Sequence, residues 1–122
     1  MENVARRFIA VAAVYATLGM AFGIAMGISQ SFEYAHVHAH INLVGWVTLA
    51  LYGLVYRAYP KMAEGRLASV HFWVANAGAL VFLPGIFLAI NGQGVASAII
   101  GSLLTLAGMI VFLVNFLRRR SP

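Results

Sequence analysis

Apolar residues run along this chain in four long stretches, about Phe8 to Ile28, Tyr34 to Tyr59, Leu67 to Ile90 and Val95 to Leu117. A helix needs about 20 predominantly apolar residues to cross the hydrocarbon core of a bilayer, so each stretch predicts a membrane-spanning helix. The polar breaks between them are short: Ser29 to Glu33, Pro60 to Arg66 and Asn91 to Gly94. Connections of this length make successive helices run in opposite directions. The expected fold is all-α, an integral membrane antiparallel four-helix bundle that takes up residues 1–122 as one domain. Pro60 and the Gly92/Gly94 pair supply the chain breaks. Arg6 and Arg7 ahead of the first stretch resemble the start of a signal peptide. That stretch is too long and lacks a small-x-small cleavage site, so it reads as a retained helix.

Composition narrows the class. Charged residues make up 9% of the chain and hydrophobic ones 62%, with a mean hydropathy of +0.89. A soluble domain carries roughly 25% charged residues, which excludes an ordinary soluble fold or a disordered tail. A net charge of +5 and a pI near 10.3 suit a nucleic-acid partner only until the charges are placed. Arg6 and Arg7 precede the first span, Arg57, Lys61 and Arg66 surround the second loop, and Arg118, Arg119 and Arg120 follow the last span. The first and third loops carry none. Every basic residue falls on one side of the expected bundle, and the positive-inside rule puts both termini in the cytoplasm, N-in and C-in, of an inner membrane. At that level they meet anionic headgroups of the lipid bilayer, and the nucleic-acid reading is rejected. The absence of Cys excludes disulfides, thiolate metal sites and covalent haem attachment. Gly19, Gly23 and Gly27 form a ridge of small residues, and Ser97, Gly101 and Gly108 form a second low face. Both suit close packing of helices within the chain, with self-association as the sharper alternative.

The chemistry is concentrated at the start of the second span, in Glu33-Tyr34-Ala35-His36-Val37-His38-Ala39-His40-Ile41-Asn42-Leu43-Val44-Gly45-Trp46. Three of the four histidines fall within five residues there, in the half of the membrane away from the basic side. Ionisable side chains at membrane depth are expensive and usually functional, and imidazole is the commonest metal and haem ligand. A single histidine near a helix end reads as an interfacial group bonded to headgroups or water. Three at alternate positions, with Asn42 and Trp46 just below, point to metal or haem ligation. A turn of roughly 100° per residue puts His36 and His40 on one face and His38 nearly opposite. Zinc or copper wants three or four donors converging on one point. A haem needs one imidazole on each face, so opposed histidines in apolar surroundings suit a porphyrin better.

The stretch Ala35-His36-Val37-His38, followed by Leu43-Val44-Gly45-Trp46, Leu54-Val55-Tyr56, Tyr59-Pro60, Val70-His71-Phe72-Trp73 and Ala77-Gly78, resembles the catalytic subunit of haem–copper oxidases. The likeness is to the C-family cytochrome oxidases and, less closely, to nitric oxide reductases. It covers roughly Glu33 to Gly94, matching the tenth and eleventh of that subunit's twelve helices. The resemblance implies that His36 binds a high-spin haem and His38 a low-spin haem. It gives His71 no standard ligand role, leaving it as a helix-end or packing residue. His40 has no counterpart and stays open as a ligand, a propionate partner or a solvated interfacial group. The histidine pair that holds copper in the family is missing, so oxygen reduction by this chain alone is not expected. The family's twelve helices form three groups of four, and this chain resembles one such group. Three copies would restore the ring. His36 of one protomer and His38 of its neighbour would then clamp a non-covalent haem b.

Three expectations follow. The first is a b-type haem protein, bis-His or single-His, in electron transfer or O2/NO chemistry near the periplasmic face. It would be a homotrimer served by a redox partner protein or quinol. The second is a non-catalytic accessory, assembly or haem-handling subunit of a respiratory complex. The third is a copper-binding membrane protein using His36 and His40.

Overall fold

The computed structural model describes residues 2–119. Arg120, the last of the basic residues used to orient the chain, lies outside the described residues. Four helices account for nearly all of them: α1 (Glu2–Ser29), α2 (Ala35–Ala58), α3 (Arg66–Ile90) and α4 (Ala96–Arg118). All four are long and apolar enough to cross a membrane, and no strand occurs among the described residues.

The helix ends lie close to those expected from the apolar runs, except that α1 begins six residues earlier than Phe8. Hydropathy marks where a helix enters lipid. Backbone hydrogen bonding carries α1 further, through Arg6 and Arg7, into the headgroup region. Between α2 and α3, Pro60 opens a short 3₁₀ turn over Pro60–Ala63, and Gly65 at φ +88° turns the chain into α3. Gly92 and Gly94 take φ +71° and +101° between α3 and α4, conformations that a side chain disfavours.

The second helix is not uniform. It is α-helical over Ala35–His40, π-helical over Ile41–Thr48 and α-helical again over Leu49–Ala58. The Thr48 hydroxyl donates to the Leu43 carbonyl, five residues back, at 2.7 Å. A regular 100° rotation therefore holds through the histidines and is lost immediately after them. π-Helical segments inside α-helices gather at functional sites.

Helices α1 and α2 pack through glycine notches. A Cβ on Gly23 would lie 2.8 Å from the His38 ring, one on Gly19 2.8 Å from the Asn42 amide, and one on Gly45 2.6 Å from Tyr15. Gly53 likewise receives Ile9 and the Ala5 carbonyl, so residue numbers fall along α1 as they rise along α2. The α3–α4 seam is tighter, with Gly101 against the Phe82 backbone, Gly85 against Ala98, Gly78 against Thr105 and Gly108 against Ala75. Pro84 removes an N–H from α3, and nearby the Ser97 hydroxyl of α4 donates to the Val81 carbonyl at 2.9 Å. Hydroxyls on a neighbouring helix commonly support the backbone around a membrane proline. The two small-residue faces are thus consumed largely inside the chain. Gly27 is the exception, with nothing within 4 Å.

A core at the basic end joins all four helices, with Phe8, Leu49, Tyr56, Met62, His71 and Asn115 fully buried. Elsewhere the outer surface is apolar: Ile28, Leu43, Leu80, Ile99, Leu103 and Leu106 are all exposed. Such a surface suits lipid tails, which solvate apolar side chains as well as another helix does.

Candidate functional site

His38 and His40 leave the first α-helical segment of α2 in different directions. His38 is half-buried against α1, its ring lying over Gly23 and 6.1 Å from the centroid of Phe22. Glycine at position 23 is what makes room for this imidazole. One turn further on, Asn42 fills the notch at Gly19 and donates to the His38 carbonyl at 3.0 Å. The His38 Nδ1 is buried with no hydrogen-bond partner. A buried polar atom of that kind loses about 1–3 kcal/mol relative to a satisfied one.

His40 turns to α3, where its ring meets Phe82 edge-on at 5.5 Å. Its Nδ1 lies 2.7 Å from the His36 carbonyl oxygen. A carbonyl can only accept, so Nδ1 carries the proton and donates, which leaves Nε2 as the nitrogen with a lone pair in the neutral ring. Metal-bound histidines are held in the same way, one ring nitrogen donating to a carbonyl or carboxylate while the other binds. His36 is exposed, and its ring makes no hydrogen bond among the described residues.

An apolar groove of about 440 Å³ runs beside these residues, between α1 and α3. Val37 and Ile41 of α2 line it together with Leu18 and Phe22 of α1 and Leu83 and Phe87 of α3. Its volume falls in the range of small-molecule and cofactor sites, about 300–1,000 Å³. A b-type haem requires apolar walls and an imidazole lone pair. None of the three histidines lines the groove, but the helix that walls it with Val37 and Ile41 carries all of them: His40 with a prepared Nε2 beside Phe82, His38 with an unpaired ring nitrogen against α1, and His36 with an uncommitted ring. The residues present match the group in donor type. They do not fit a three-ligand zinc or copper site, since no three His, Asp or Glu side chains come together among the described residues.

His71 departs from expectation. It sits five residues into α3, not at the helix end, and is fully buried. The aromatic rings of Phe8 and Tyr52 pack on it at centroid distances of 4.9 and 4.3 Å. Asn115 donates through Nδ2 to the Tyr56 hydroxyl oxygen at 3.2 Å and to the Met62 carbonyl at 2.9 Å. The Tyr56 hydroxyl also shares a hydrogen bond with the His71 Nδ1, 3.0 Å away. The packing reading of His71 is correct and the helix-end reading is not. Sequence reasoning passed over Asn115 altogether. Its signal was a lone amide inside an otherwise apolar span, the membrane equivalent of a buried polar group that must find a partner. Tyr52 and Tyr56, one turn apart on α2, carried a similar hint.

No protein family, curated protein or solved structure matches the chain significantly.

Proposed function

We propose that this chain is a multi-pass membrane b-type haem protein of the inner membrane, an antiparallel bundle with both termini in the cytoplasm and its histidines toward the periplasmic face. The observation that carries the reading is the 2.7 Å hydrogen bond from His40 Nδ1 to the His36 carbonyl, which prepares Nε2 as a donor on the same helix that walls an apolar groove with Val37 and Ile41. The oxidase-like motif argues for His36 and His38 as the iron ligands, and the hydrogen bond adds His40 as a third donor. A haem in this place would supply one-electron exchange at iron, with gas binding if one axial position stays open. The chain's own part is to orient imidazole nitrogens and, through Phe22, Val37, Leu83 and Phe87, to keep water away.

The homotrimer belongs to the same proposal. His38 is turned to α1 and His40 to α3, so one chain does not present two imidazoles across one macrocycle, and a second ligand has to come from a neighbour. Exposed His36 is the residue available to a neighbouring chain. The interface would draw on exposed apolar side chains around it, because the glycine faces are already filled. Electrons would arrive from a redox partner protein or a quinol.

Alanine substitutions at positions 36, 38 and 40 in the purified full-length chain test the assignment. Two of the three should abolish the low-spin haem signal in electron paramagnetic resonance while leaving helix content unchanged. A low-spin signal retained by all three variants refutes it. The one-turn spacing of His36 and His40 also suits copper shared by their rings. Elemental analysis showing stoichiometric copper and no iron would favour that reading instead.

A further inference from the structure

A cleft of about 220 Å³ opens at the basic end of the molecule, remote from His36, His38 and His40, between the start of α1 and the start of α3. Val4 and Arg7 of α1 line it together with Gly65 ahead of α3 and Ser69, Phe72 and Trp73 of α3, Gly65 and Ser69 lying toward its outer end, the mouth. Arg7 is exposed and makes no ion pair or hydrogen bond among the described residues, and neither does the Ser69 hydroxyl. Glu64, the acidic residue of the adjacent loop, lies 3.4 Å from Arg119 and is already paired. Trp73 is 65% exposed beside this mouth. Tryptophan is enriched at the membrane–water boundary, where its ring sits at headgroup level.

We propose that this cleft binds the headgroup of an anionic phospholipid from the leaflet at that end. An arginine and a hydroxyl that find no partner among the described residues match a phosphate, to which a guanidinium can bond through two N–H groups. Phe72 and Trp73, further along α3 than Ser69, match the glycerol and the upper acyl chain, which a free phosphate would leave uncovered. Arg66, Arg118 and Arg119 line an adjoining hollow that meets this cleft at Gly65. They add to the general surface potential without forming this mouth.

Trp73 itself supplies the readout. In a Trp46→Phe background it is the remaining tryptophan of the two in the chain. The full-length variant is reconstituted in vesicles containing equal fractions of brominated phosphatidylglycerol or brominated phosphatidylcholine, and quenching is compared. Preference for the anionic lipid should be about fivefold, the worth of one arginine near a charged surface. Arg7→Gln should reduce it to near parity, whereas Arg118→Gln, which removes the same charge outside the cleft, should leave it. Equal loss in both variants would mean diffuse surface attraction and would overturn the site. So would a preference unchanged by Arg7→Gln, or one abolished by inorganic phosphate, which would assign the mouth to the free anion.

Discussion

The glycine notches give a quantitative test of how the bundle is held together. At Gly101 an added Cβ meets the Cα and N of Phe82, which are backbone atoms and cannot rotate away. Overpacking at such a site falls at the upper end of the usual range, ~3 kcal/mol. Alanine regains ~1 kcal/mol over glycine from helix propensity. Gly101→Ala should therefore lose a net ~2 kcal/mol, roughly a 30-fold fall in the folding equilibrium. Gly27→Ala, with open space around it, should instead gain up to ~1 kcal/mol. Gly23→Ala is intermediate in a telling way. Its Cβ would meet only the end of the His38 ring, which can swing aside, so stability should change little while the imidazole moves. Reversible unfolding in mixed dodecylmaltoside–SDS micelles, followed by far-ultraviolet circular dichroism, measures all three. If Gly101→Ala unfolds at the same SDS fraction as Gly27→Ala, the α3–α4 seam does not have the geometry described. If Gly23→Ala leaves every spectral property of a bound haem unchanged, His38 is not a ligand.

His71→Ala should destabilise the fold by ~3–5 kcal/mol, the range for emptying a buried ring site, yet leave the haem spectrum of the folded fraction intact. A spectrum altered as strongly as by His38→Ala would mean that the wrong histidine has been assigned. Native mass spectrometry in mild detergent should give a trimer with up to one haem per chain. A monomer that keeps bis-His low-spin haem would refute the shared-ligand geometry.

The four helices were legible because lipid imposes a length and a composition that any spanning helix must meet. The opposed directions of His38 and His40 were legible too, since both precede the point where α2 changes its pitch. The π-helical stretch after His40 was not. Asn42, Gly45 and Trp46 within it pack against α1 and the core, contacts made at long range, and no periodicity in Ile41–Thr48 announces it. The depth of His71 was hidden for a related reason. A histidine early in a span looks interfacial unless its partners Tyr56 and Asn115 are known to converge on it. The hydrogen bond that prepares His40 was implicit in the four-residue spacing from His36, but only coordinates reveal that the ring folds back onto its own helix.

The central claim is that these histidines hold iron porphyrin. Its most direct test is the pyridine haemochrome spectrum of the full-length protein purified in mild detergent from haem-replete cells. A b-type spectrum, haem that extracts into acid–acetone and a ratio approaching one haem per chain are expected. A colourless, haem-free preparation that is fully helical would contradict it.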